Sequence, residues 1–265
     1  MATTVSRRTT VAELRDRSGA IPGRAFRNAD FLAGQFERGD LVRVTGVVER
    51  YRDELQVDVR EIRRAEEDGL DPAGFLPAAY RDMEELDGFL EHLSREVYDA
   101  DFRRLLDSFL ADSDFRAALR GAPCTRGGHH AYLGGLLEHT VAVATLALEA
   151  CGLHPRLNSD LLITAAILHD AGKTREFALG AEIALSDEGA MLGHLALGQQ
   201  LVTDRVSRLE SFPRDKLLAL SHCILGHHGP ETLPGRRFRS AEALALFRIN
   251  SLDAVVKGAL EHGLE

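Results

Sequence analysis

The sequence predicts a multidomain α+β protein: a small N-terminal β module, a helical connector and a C-terminal all-α domain. Three observations carry this expectation. Up to residue 64, apolar and polar positions alternate and β-branched residues are frequent; from residue 71 the apolar spacing becomes three and four. The charge changes at the same place. Residues 1–64 hold 13 Arg against 10 Asp and Glu, a net of +3, and the rest carries −12 within a total of −9. Such asymmetry suggests modules with different partners. Finally, 265 residues suit one large domain or two small ones.

The β module is expected over residues 1–66. Segments 9–14 and 20–26 read as strands around a turn at Arg17-Ser18-Gly19, with Pro22 pushing the second toward a sheet edge. Segments 41–48 and 55–62 read as an antiparallel hairpin closed by the polar stretch 49–54. That makes about four short strands. The connector, 67–121, repeats apolar residues at helical spacing: Met83, Leu86, Phe89, Leu90, Leu93 and Val97, then Phe102, Leu105, Leu106, Phe109 and Leu110. Asp112 is placed to cap a further short helix that stops before Pro123. The all-α domain, 122–265, reads as helix broken at Gly152/Pro155, Gly180, Pro213 and Gly229/Pro230.

Composition narrows the class. Hydrophobic residues make up 45% and charged ones 28%, ordinary for a chain that buries a core. The longest clean apolar run, 161–168, is too short for a bilayer, and the first ten residues lack a signal-peptide stretch. Three cysteines without a CxxC give neither a disulfide framework nor a cysteine zinc site. The expectation is a soluble, reduced, cytoplasmic protein with no membrane partner. An acidic total also argues against a nonspecific grip on nucleic acid over the whole surface. Arg supplies 29 of the 32 basic residues; it suits phosphate, although a genome's compositional habit explains it as well.

The histidines carry the chemistry. His139 lies near the start of an apolar helix, and His169-Asp170 closes the apolar run 161–168. His194 follows Gly193, and His222 leads to His227-His228-Gly229. Any lone histidine is more simply a core or surface residue, and His92, His154 and His262 are left as such. A buried Asp after a His is different, because it costs several kcal/mol unless paired or on a metal. Imidazole is the commonest metal ligand, and an adjacent carboxylate can bridge two cations. The pattern predicts metal binding.

The ordered series His139, His169-Asp170, His194, His227-His228 resembles the HD superfamily of metal-dependent phosphohydrolases. The stretches His129-His130-Ala131-Tyr132-Leu133-Gly134-Gly135-Leu136-Leu137-Glu138-His139-Thr140 and Ile167-Leu168-His169-Asp170-Ala171-Gly172-Lys173, with Gly193-His194 and His227-His228-Gly229, are similar to the YhaM-type 3′→5′ exoribonucleases. That family joins an N-terminal OB-fold to an HD domain. Here Gly39-Asp40-Leu41-Val42-Arg43-Val44-Thr45-Gly46, with Tyr51 and Leu55-Gln56-Val57, is similar to its OB segment. The resemblance implies an OB-like barrel, short of the usual five strands and so open or completed by another chain. It implies that His139, His169 and Asp170 hold a first divalent cation. Where a second binds, Asp170 bridges, and His194, His227 and His228 complete the site. Mn²⁺ is the first choice, with Fe or Mg²⁺ as others. The family's final Asp ligand falls on Asn250, which brings no charge and should lower affinity there. Asp253, three residues on, would approach the metal or orient a water; a structural Asp is the alternative. Lys173 is expected to neutralise a phosphate oxygen, with a solvated lysine at a helix C-terminus as the alternative; His129 and His130 are expected to contact substrate phosphate or support the ligands, with a structural role as the alternative. Tyr51 would stack on the nucleic acid, or serve as a turn or core aromatic.

The expected function is therefore divalent-metal-dependent 3′→5′ exonuclease action on single-stranded RNA, with DNA as a second substrate and a homo-oligomer as the working form. Two rivals stand beside it: an HD-type hydrolase of a small nucleotide or cyclic dinucleotide, and a noncatalytic nucleic-acid or nucleotide binder.

Overall fold

Strand pairing starts almost at the N-terminus. The structure is a computed structural model and describes residues 5–6, 9–26, 28–65, 72–180 and 182–263. Five strands, β1 (Val5–Ser6), β2 (Thr9–Asp16), β3 (Gly19–Ala25), β4 (Val42–Tyr51) and β5 (Glu54–Arg64), form one sheet in the order β1-β2-β3-β5-β4. Neighbours are antiparallel except β3 and β5, which run parallel at Gly23–Val57 and Arg24–Asp58. Helix α1 (Ala29–Ala33) lies in the connection between β3 and β4. The strand order is linear, so the sheet is open among the described residues.

Three details differ from expectation. A fifth strand exists, but β1 has two residues, too few to show alternation. The hairpin of β4 and β5 is longer than expected: Glu49 pairs Gln56 and Arg50 pairs Leu55, leaving only Arg52-Asp53 as the turn. Both turn residues have positive φ, 50° and 66°, the geometry that matches strand twist in two-residue loops. Polar residues on an exposed ladder look like a loop in sequence. Third, β3 is interior, between β2 and β5, although it holds Pro22. Its pairing with β5 involves Gly23 and Arg24 only, so the missing N–H of Pro22 falls outside that ladder. Ala25, Leu32, Val59 and Ile62 form a small core with Leu14, Phe36, Val42, Val44 and Val57.

The chain divides into two compact units. One runs to Pro77 and includes Leu179–Ala184; the other comprises Ala78–Ala178 and Leu185–Glu265. The start of the expected connector, residues 67–71, lies outside the described residues. Its helices, α2 (Met83–Arg95), α3 (Ala100–Leu110) and α4 (Ser113–Gly121), are part of the second unit. Leu86, Leu90, Phe102, Leu105 and Phe109 lie in the same core as α5 (Gly135–Leu153) and α6 (Ser159–Leu168). Asp82, Asp99 and Asp112 cap these three helices, each accepting two backbone N–H groups, at about 1 kcal/mol apiece. After α6 come α7 (Lys173–Glu176), a hairpin of β6 (Phe177–Leu179) and β7 (Ile183–Leu185), α8 (Asp187–Ser207), α9 (Arg214–Gly226) and α10 (Ala241–His262). The hairpin was not expected, because three-residue strands carry no period. By length and composition α5 could span a bilayer, which the sequence reading did not pick out. In the fold it is a core helix against α2, α4, α6 and α10, and it holds buried Glu138 and His139.

Candidate functional site

Helix α6 is buried along its whole apolar run and delivers His169 and Asp170 at its C-terminal end, 0% and 1% exposed. Two glycines bring α8 to them. A Cβ on Gly172 would lie 2.1 Å from the His194 carbonyl oxygen and 2.5 Å from the Gly198 nitrogen. Only glycine allows the chain after Asp170 to approach α8 so closely. Gly193, at φ 69° and ψ 161°, breaks the helical path of α8 immediately before His194. His139 comes from the second turn of α5, His227 ends α9, and Asn250 faces inward from α10.

Around Asp170 these side chains fall into two groups. His139 Nε2 lies 3.2 Å from His169 Nε2, 2.9 Å from Asn250 Oδ1 and 3.6 Å from Asp170 Oδ2. His169 Nε2 is 3.3 Å from the same Oδ2. On the other side, Asp170 Oδ1 is 3.3 Å from His227 Nε2 and 3.7 Å from His194 Nε2, and His194 Nε2 is 2.7 Å from His228 Nε2. The opposite ring nitrogens are engaged. Nδ1 of His169 donates to Ala166 O (2.8 Å), Nδ1 of His227 to Ile224 O (2.6 Å), and Nδ1 of His139 to Asp253 Oδ2 (2.6 Å). Nδ1 of His194 donates to Glu176 Oε1 at 3.1 Å. In the neutral rings Nε2 therefore carries a lone pair. Lone pairs converge on a buried carboxylate, and Asp170 Oδ1 and His227 Nε2 have no hydrogen-bond partner. Buried acceptors facing acceptors are unfavourable unless a cation sits among them. The donor set fits divalent metal.

The protonation states agree. Burial holds His139 below its ordinary value and lowers His227 to about 3 and His228 to about 4, so these rings stay neutral near pH 7. Burial works to raise the Asp170 carboxyl, but the charge of Lys173 holds it well below the usual range. Lys173 Nζ is 2.7 Å from Asp170 Oδ2, and that pairing raises its affinity for a proton against the burial that opposes it.

Every expected residue of the helical domain lies in or beside this cluster. Lys173 is not a solvated lysine at a helix C-terminus; it is buried at the start of α7 and paired with Asp170. The structure puts Asp253 behind His139, on Nδ1, with the same oxygen accepting from His130 Nε2 at 3.1 Å. His129, His130, His139 and Asp253 thus form a further group of donor atoms within reach of one another. His129 Nδ1 is buried without a partner, and burial lowers the ring to about 4. In the N-terminal unit Tyr51 is exposed near the hairpin turn, with the guanidinium groups of Arg24 and Arg52 over its ring at 5.6 and 5.3 Å. It is not a core aromatic.

Sequence reasoning missed several participants. Cys124 is fully buried, with Sγ 3.4 Å from Lys173 Nζ and 3.9 Å from Asp170 Oδ2; burial pushes its thiol up to about 12. Glu176 holds His194. Tyr132 donates to Glu138 at 2.9 Å, and Lys257 donates to Glu138 at 3.0 Å. No spacing rule marks Cys124. Glu176 stands one helical turn beyond Lys173, and a search for carboxylates behind ligand histidines could have found it. His222, by contrast, accepts from the Arg239 backbone N–H and is structural.

Comparison with known proteins gives a consistent result. The HD domain model matches residues 136–255, and the model for the OB-fold nucleic acid binding domain of the anticodon-binding type matches residues 3–65. The chain is similar to the 3′-5′ exoribonuclease YhaM of Bacillus subtilis, 29% identical over 91% of this chain and 76% of that protein. It is 27% identical to YhaM of Listeria monocytogenes over 82% of this chain and 68% of the relative. The Oceanobacillus iheyensis YhaM is 28% identical over the same shares. No solved structure matches the chain.

Proposed function

Because the chain joins an OB-fold nucleic-acid-binding domain to an HD domain, we propose that it is a divalent-metal-dependent 3′→5′ exoribonuclease acting on single-stranded RNA. The observation that carries this is the convergence of histidine lone pairs on a partnerless Asp170 carboxylate oxygen. His139, His169, Asn250 and Asp170 would hold one cation; Asp170, His194, His227 and His228 would hold another. Bound cations supply Lewis-acid activation of water and charge neutralisation in an in-line displacement at phosphorus. The chain's own groups do the rest. Lys173 keeps its proton and presents a fixed positive charge beside Asp170, preorganised for a phosphate oxygen. His129, neutral and partnerless at Nδ1, is available to hydrogen-bond the substrate. Tyr51, with Arg24 and Arg52, offers a stacking face and phosphate charge, the combination that grips single strands without sequence preference.

We take Mn²⁺ as the working cation. A mixed imidazole and carboxylate set suits it or iron better than Mg²⁺, which prefers oxygen ligands. Base stacking and phosphate contact do not need a 2′-hydroxyl, so single-stranded DNA is a second substrate in this proposal. The open sheet edge favours a homo-oligomer, and three free cysteines suit the cytoplasm. The test is incubation with Mn²⁺ and 5′-end-labelled RNA. Stepwise shortening from the 3′ end, stopped by a chelator, is expected. Intact RNA, or turnover of free nucleotides alone, overturns the proposal.

A further inference from the structure

The cluster has an internal symmetry that the ligand set alone does not reveal. Each group contains one histidine whose Nδ1 donates to a backbone carbonyl three residues earlier: His169 to Ala166 O, and His227 to Ile224 O. Each also contains one histidine whose Nδ1 donates to a carboxylate: His139 to Asp253, and His194 to Glu176. Asp170 serves both groups, one oxygen to each. The remaining donor is neutral in both, Asn250 Oδ1 on one side and His228 Nε2 on the other.

A carbonyl fixes the tautomer. A carboxylate does more, because its charge makes the imidazole a stronger donor through the opposite nitrogen. The two carboxylates also sit behind their histidines, on the ring nitrogen opposite the one that faces Asp170. Asp253 Oδ2 is on the far side of the His139 ring from His169, and it is held there by a second donor, His130 Nε2. Glu176 Oε1 accepts both Nδ1 and the backbone N–H of His194. It therefore clamps the residue that follows the break at Gly193.

We propose that Asp253 and Glu176 are positioning residues, one for each cation site. Through His139, Asp253 restores to the first site the negative charge that Asn250 does not bring. This rests on the metal-dependent reading above. Asn250 and Asp253 lie three residues apart on one face of α10, so the charge is displaced by one turn, from direct contact to a place behind His139. Each cation then faces the shared Asp170, a carboxylate-backed histidine, a carbonyl-backed histidine and one neutral donor.

Metal binding tests this without any assay of activity. Free Mn²⁺ is followed by electron paramagnetic resonance while metal-free wild type, D253N, E176Q, D253N/E176Q and N250D/D253N are titrated. Thermal melting of each metal-free protein is recorded alongside. Wild type should bind two ions. D253N and E176Q should each weaken one ion by about 10–100-fold, the usual effect of losing such a partner, and leave the other within about twofold. The double variant should weaken both, and N250D should recover the ion lost in D253N. A structural role predicts instead a lower melting temperature with both ions weakened alike, which overturns the proposal. So does unchanged affinity in the single variants, or no recovery on adding N250D. Two ions in wild type with unmoved variants leave the exoribonuclease reading standing; no ion in wild type removes both.

Discussion

Asp170 joins three roles in one side chain: it faces four histidine rings, it neutralises Lys173, and one of its oxygens has no partner. Asp170→Asn should abolish cation binding at both sites and lower RNA turnover by at least about 10³-fold. It should also destabilise the metal-free protein by about 3–5 kcal/mol, because it strands a buried ammonium; chemical denaturation measures this. The buried histidines set a second expectation. His227, ordinarily near 6.5, is lowered to about 3 by burial. Between those values the unfolded chain binds a proton that the folded one refuses. The metal-free protein should therefore lose stability as pH falls from 6.5 toward 3, by about 1.4 kcal/mol per pH unit for this residue. Denaturant midpoints measured at pH 7.5 and 5 would show it, and equal midpoints would refute it. The place of His169-Asp170 in the cluster was legible in sequence because metal chemistry admits few residue types, and an Asp at the end of an apolar run needs a reason to be there. Cys124 and Glu176 were not, because their proximity to the site depends on where the turn and α7 come to rest.

At the scale of elements, the site depends on how closely α8 approaches the turn after α6. Gly172 permits the contact with His194 and Gly198, and Gly193 redirects α8 so that His194 meets Glu176. Gly172→Ala places a methyl group against backbone that cannot yield, so α8 must move. The expected result is selective: loss of the cation proposed at His194, His227 and His228, with the one proposed at His139, His169 and Asn250 retained. Mn²⁺ stoichiometry should fall from two to one while the far-ultraviolet circular dichroism stays the same. Loss of both ions would show instead that the α6 turn itself had been displaced. The helices were legible because a run such as 161–168 is apolar on all sides and must be central, and because Asp82, Asp99 and Asp112 punctuate their starts. The β6–β7 hairpin and strand β1 were not, since two or three residues do not establish a period. Residues 49–54 looked like a loop for another reason: most of them lie on an exposed ladder, where pairing residues are polar.

Over the whole molecule, the total charge of −9 misleads about nucleic acid, and its division does not. The segment 1–64 carries +3 and contains Tyr51 flanked by Arg24 and Arg52, whereas the cluster around Asp170 lies in the part that carries −12. If the first holds the strand and the second cuts it, affinity and chemistry should separate under salt and mutation. Phosphate contacts release counterions, so the logarithm of affinity for single-stranded RNA should fall linearly with that of salt concentration, at about −0.7 per contact. R52A should make that slope shallower by about 0.7. Y51A should leave the slope in place and weaken binding by about 5–100-fold, the cost of one stacked base. Neither variant should change the rate on a dinucleotide if the N-terminal unit only holds the strand. If the dinucleotide rate falls with Y51A, the tyrosine serves the chemistry rather than the grip, and the division of labour inferred from charge is wrong.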